Sequence, residues 1–128
     1  MTKEEKKIIG HKAVNNILDN LLDKEEIFKI IVEFDERNTK EALFAHYCDK
    51  LECDIQSRLY DLEGCVDLNN QEGNESRNNE LVKELLDSGM SFSEMWLTFG
   101  QRKYNYDDNF LEVSEYAKNN KIKDLKQY

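Results

Sequence analysis

Apolar residues recur three and four positions apart through most of this chain. Val14, Ile17, Leu18, Leu21 and Leu22, with Ala13 beside them, make one stripe behind a capping box formed by Thr2 and Glu5, and so predict a first helix. A second helix starts near Lys24, turns Ile27, Phe28, Ile30, Ile31 and Phe34 to one side, and ends in the acidic "EFDE". Asn38 and Thr39 break the pattern, and either can cap a third helix running from about Lys40 to Asp61. In it Phe44, Cys48, Leu51, Ile55 and Leu59 form the apolar stripe. Ala42, Ala45, Asp49, Glu52, Cys53 and Gln56 form the adjoining face.

Residues 64–79, "GCVDLNNQEGNESRNN", have little to bury and read as a polar, mobile loop. Leu81, Val82, Leu85 and Leu86 predict a fourth helix stopped by Gly89. Ser91 and Glu94 form a second capping box, opening a short helix with Phe92, Met95, Trp96 and Phe99. "YNYDD" is a turn, and Asp107 or Asp108 caps a last helix with Phe110, Leu111, Val113 and Tyr116, after which "KNNKIKDLKQY" frays. No segment alternates cleanly and there is no proline, so the pattern predicts an all-α chain, a single helical domain over residues 1–128.

Charge narrows the partners. The net charge of -9 disfavours a nucleic-acid surface, which works by releasing counterions from phosphates, while a small phosphorylated ligand needs only a few local cations or a metal. No apolar run approaches a membrane span, and "MTKEEKKIIG" lacks the apolar centre of a signal peptide, so a cytoplasmic location is expected. Cys48, Cys53 and Cys65 contain no CxxC pair and fit free thiols in a reducing compartment.

Phosphate-binding glycine loops, GxSxG, HExxH and paired CxxC motifs are absent. His46, Asp49 and Cys53, spaced three and four apart in "HYCDKLEC", can face one ion from a single helix. Such a trio arises easily by chance, and a self-contained metal binder is the weakest of three functional readings. His11 is expected to face solvent. Glu33, Asp35 and Glu36 read first as an acidic helix end; since negative charge there opposes the macrodipole, such a cluster can also mark a site that binds a cation or holds an arginine. Arg37 and Arg58 are candidate anion holders.

"TKEEKK…HKAVNNIL", "VEFDERNTKEALFAHYCDKLE", the helix-end Tyr60 and "WLTFG" together resemble the C-terminal half of HD-domain metal-dependent phosphohydrolases. The branch resembled is the small one of bacterial 5'-deoxynucleotidases and their eukaryotic HD-containing relatives. The likeness is close over Thr2 to Asp61 and looser beyond. It implies an all-α fold and a divalent metal held by a histidine, a His-Asp pair and a distant aspartate, which Asp49 matches. It also implies hydrolysis of nucleoside 5'-monophosphates. In the family the histidine and the His-Asp pair lie upstream of the "TKEEKK" position, and neither His11 nor His46 occupies those places. The chain is therefore expected to be the C-terminal part of such an enzyme, without its N-terminal helices. Asp49 is then the metal ligand, Glu33, Glu36 and Lys50 the catalytic or substrate-side candidates, and a homo-oligomer or a missing half the partner. The alternative is a non-catalytic helical module that pairs with another chain.

Overall fold

The computed structural model describes residues 1–120. All regular structure among them is helical: α1 (Lys3–Ile17), α2 (Lys24–Glu36), α3 (Lys40–Glu63), α4 (Glu80–Asp87), α5 (Phe92–Lys103) and α6 (Asp108–Asn119), with 3-10 turns at Leu18–Asn20 and Glu75–Asn78. The expected all-α class holds. The tail expected to fray lies, from residue 121 onward, outside the described residues. The chain divides into two compact units, Met1–His46 and Tyr47–Tyr128, and the division falls within α3.

In the first unit, Thr2 and Glu5 close the capping box on α1. The helix is shorter than its stripe suggested. It ends at Ile17, and the chain tightens into a 3-10 turn over Leu18, Asp19 and Asn20, closed by the Leu21 N–H on the Leu18 carbonyl. Leu18 is buried, whereas Ile17 is 76% exposed and Leu21 and Leu22 also face out. On α2, Ile27, Phe28, Ile31 and Phe34 are half-buried, but Ile30 is exposed. Arg37 ends α2 in the left-handed conformation at φ 55°, its N–H bonded to the Glu33 carbonyl. Thr39 rather than Asn38 caps α3: its Oγ1 accepts from the Ala42 N–H at 3.2 Å.

In the second unit α5 packs with both α4 and α6. One core joins Val82, Leu85, Met95 and Phe99; another joins Leu51, Tyr106 and Phe110, and Tyr104 packs against both. The expected caps on α5 and α6 and the Gly89 stop are present, and α4 has a cap the pattern did not name. Asn79 accepts from Leu81 and Val82, Ser91 and Glu94 close a capping box, Asp107 caps α6, and Gly89 takes φ 84° after α4. Residues 64–79 have more structure than a plain loop: Asp67, Gln71 and Asn74 bond to neighbouring residues, and Asn74 caps the second 3-10 turn.

The largest departure is on α3. Phe44 and Cys48, assigned to the apolar stripe, are exposed, while the buried positions are Ala42, His46, Leu51, Asp54 and Ser57. Three of the five are polar: His46 meets the Phe34 ring, Asp54 accepts from the Tyr106 hydroxyl, and Ser57 donates to the Asp54 carbonyl.

Candidate functional site

Asp49 lies near the middle of α3 with its side chain half exposed. Lys50 Nζ donates to Asp49 Oδ2 at 2.7 Å, and this bond holds the Lys50 amine above its ordinary range. Cys53, one turn on, is an exposed free thiol whose pKa is pushed up first by burial of the sulfur and then by the Glu52 charge. A raised thiol supplies little thiolate, the form that binds metal. His46 is buried and stands edge-on to Phe34 at 6.4 Å. The His46, Asp49 and Cys53 spacing therefore does not gather the three groups. Among the described residues no three His, Cys, Asp or Glu side chains come together to hold a metal ion.

The acidic end of α2 is answered by α1. Lys7 pairs with Glu36, His11 Nε2 lies 2.7 Å from Asp35 Oδ2, and Thr39 Oγ1 donates to Glu33 at 2.5 Å. The bond to Glu36 raises the Lys7 pKa. His11, expected to face solvent, is half-buried and also meets Phe28 edge-on. The cluster is paired with Lys7 and His11 rather than with an arginine. Glu33 and Glu36 belong to the first unit, and Asp49 and Lys50 to the second.

A second carboxylate, which the sequence reading passed over, is Asp54. It is 5% exposed and accepts a hydrogen bond from Tyr106 O–H at 3.2 Å. Burial pushes its pKa from 3.8 up to about 6, against the opposing effects of Tyr106 and Lys50. Burial and the Asp54 charge in turn raise the Tyr106 hydroxyl. Gly100 of α5 makes the room: a Cβ there would lie 2.0 Å from Asp54 Oδ2. One clue was available in the sequence, since a glycine inside the predicted "WLTFG" helix calls for a packing reason.

Two turns further along α3, Asp61 Oδ2 accepts from Ser93 N at 3.0 Å and from Ser93 Oγ at 2.7 Å. Burial acts to raise its pKa, but these bonds, with Ser91 and Arg58, outweigh it and the carboxyl sits below its usual range. Arg58, considered as an anion holder, donates to Ser93 Oγ at 3.1 Å. Asp61 and Arg58 thus secure the first turn of α5.

The family model described as HD domain matches residues 1–88, and the chain belongs to that family. HD domains are a helical superfamily of metal-dependent phosphohydrolases, and the match contains Asp49, Lys50, Glu33 and Glu36. Nothing matches among curated proteins or solved structures. The described residues do not by themselves fit a catalytic metal, which takes about three protein ligands.

Proposed function

We propose that this chain is the C-terminal portion of an HD-type phosphohydrolase that hydrolyses nucleoside 5'-monophosphates when complete. The observation behind this reading is the HD-domain match, which contains an aspartate on the solvent side of α3 in the sequence "DKLE". In the proposal Asp49 contributes one carboxylate to a divalent metal. The family's histidine and His-Asp pair come from a segment ahead of Thr2 or from another chain. Lys50, already bonded to Asp49, is the better substrate-side candidate. Glu33 and Glu36 have partners in the first unit and are second choices.

One observation favours the second reading, a helical module that pairs with another chain. In the first unit Ile9, Ile17, Leu21, Leu22, Ile30 and Phe44 are at least half exposed. Covering such apolar surface is worth roughly 25 cal/mol per Å². The two readings agree if the covering partner is a second copy or the part that carries the remaining ligands.

The test joins the chain to an HD N-terminal segment carrying the histidine and the His-Asp pair, then measures bound metal and phosphate release from nucleoside monophosphates. The expected product is a metal-dependent phosphomonoesterase. Asp49→Ala lowers metal occupancy and activity together, and Asp49→Asn does nearly the same because it keeps the shape but loses the charge. Equal activity with alanine at position 49 overturns the reading. A fusion with no activity but tight, stoichiometric pairing of the unfused chain favours the interaction module.

A further inference from the structure

Residues between 68 and 96 line a partly open cavity of about 230 Å³ in the second unit. Its floor is apolar and soft, formed by Leu86 of α4, Met90 in the connection, and Phe92, Met95 and Trp96 of α5. Trp96 is held edge-on between Phe92 at 6.3 Å and Phe99 at 5.5 Å, so one wall is a fixed aromatic edge. Methionines beside aromatic rings let such a floor adapt to a flat guest.

The rim is polar and largely occupied with itself. Gln71 Nε2 donates to the Asp67 carbonyl, Asn74 Nδ2 donates to Gln71 Oε1, and Asn74 Oδ1 accepts from Ser76 N. Arg77 differs. It lines the cavity, is exposed, and makes no ion pair among the described residues. Among the described residues no carboxylate lines this cavity, in a chain with 27 acidic residues. A neighbouring hollow shares Arg77 but also carries Glu75 and Asp87.

We propose that this cavity binds a small aromatic monocarboxylate, its ring over the Met90, Met95 and Trp96 floor and its carboxylate on Arg77. Size and charge set the class. Drug-sized sites span about 300 to 1,000 Å³, and a cavity of about 150 Å³ accepts benzene, so this one suits a single ring with a short arm. A guanidinium pairs with a carboxylate through two parallel hydrogen bonds. Glu75 and Asp87 nearby disfavour a dianion such as a phosphate monoester, so the site is distinct in chemistry from the nucleotide site proposed above.

The chain has one tryptophan, so its fluorescence reports on the cavity wall directly. The full chain is titrated with phenylacetate and, separately, with its neutral isostere phenylacetamide. Phenylacetate is expected to change Trp96 emission saturably, with Kd on the order of 1 mM for so small a ligand. Phenylacetamide is expected to bind about tenfold more weakly, and Arg77→Gln to weaken phenylacetate by a similar factor without changing phenylacetamide. Circular dichroism confirms that the variant keeps its helices. Equal binding of the two ligands, no effect of Arg77→Gln, or no saturable change up to about 10 mM phenylacetate each overturns the proposal.

Discussion

A buried carboxylate that is held above its ordinary pKa works against folding at neutral pH, and Asp54 allows that cost to be measured. Its pKa rises from 3.8 to about 6, chiefly through burial. The sign follows from proton counting. Below 3.8 the carboxyl is protonated in both folded and unfolded chains and contributes nothing. Between 3.8 and about 6 the folded chain keeps a proton that the unfolded chain has released, so stability falls as pH rises. Above about 6 the penalty is complete. At 1.36 kcal/mol per pKa unit it amounts to about 3 kcal/mol at most. Asp54→Asn keeps an oxygen to accept from Tyr106 O–H but has no charge to desolvate. The amide also introduces a donor that has to find room beside Gly100, a packing cost independent of pH. The informative quantity is therefore the difference in unfolding free energy between variant and wild type, followed from pH 4 to pH 7. Its change with pH is free of the packing cost, and subtracting the wild type removes the opposite contribution of Asp61, which stabilises above 3.8 and is lost as pH falls through its lowered folded pKa. Urea unfolding monitored by Trp96 emission suits the purpose, at low protein concentration because the range crosses the sequence pI near 4.8. The variant is expected to gain about 2 to 3 kcal/mol on the wild type between pH 4 and pH 7. A difference that stays flat across that range refutes the argument that Asp54 is desolvated.

Two other substitutions test the same frame. Gly100→Ala places a Cβ 2.0 Å from Asp54 Oδ2, closer than atoms can approach, and is expected to cost about 2 to 4 kcal/mol, read as a lowered thermal midpoint. Thr39→Ala removes the acceptor for the Ala42 N–H and the donor to Glu33, and is expected to cost about 1 kcal/mol in chemical unfolding while leaving helix content at saturation unchanged.

The caps were the most legible part of the chain. Thr2 with Glu5, Ser91 with Glu94, and Gly89 are local devices whose geometry depends on neighbours in sequence, and the structure uses each as expected. The choice of buried face on α3 was less legible. Periodicity ranks faces by apolar content, which favoured Phe44 and Cys48, whereas burial of Asp54 depends on a partner far along the chain. Tyr106 lies 52 residues beyond Asp54, in a segment that read only as a turn. The acidic end of α2 was half legible. Its charge conflict was visible, but Lys7 and His11 as its resolution depend on α1 and α2 packing together. For the candidate site, resemblance pointed to Asp49, and composition alone had no means of choosing it among so many acids.

The buried acid bears on the exposed one. Asp49 and Asp54 are five residues apart on α3, which at 3.6 residues per turn places them about 140° apart around the helix axis. In the second unit the rotation of α3 is fixed by what it buries: Leu51 against Tyr106 and Phe110, Asp54 against Tyr106 and the bare backbone of Gly100, and Ser57, whose hydroxyl donates to the Asp54 carbonyl. With these positions held inward, Asp49, Glu52 and Cys53 turn outward. Rotating the helix to bury Cys48 instead would expose Asp54 and relieve its desolvation, but it would separate Leu51 from its aromatic partners and turn Asp49 toward the core. The energetic cost at Asp54 is thus linked to the setting that leaves Asp49 accessible. A substitution such as Gly100→Ala, which displaces Asp54, is expected to alter how Asp49 is presented as well as how stably the chain folds.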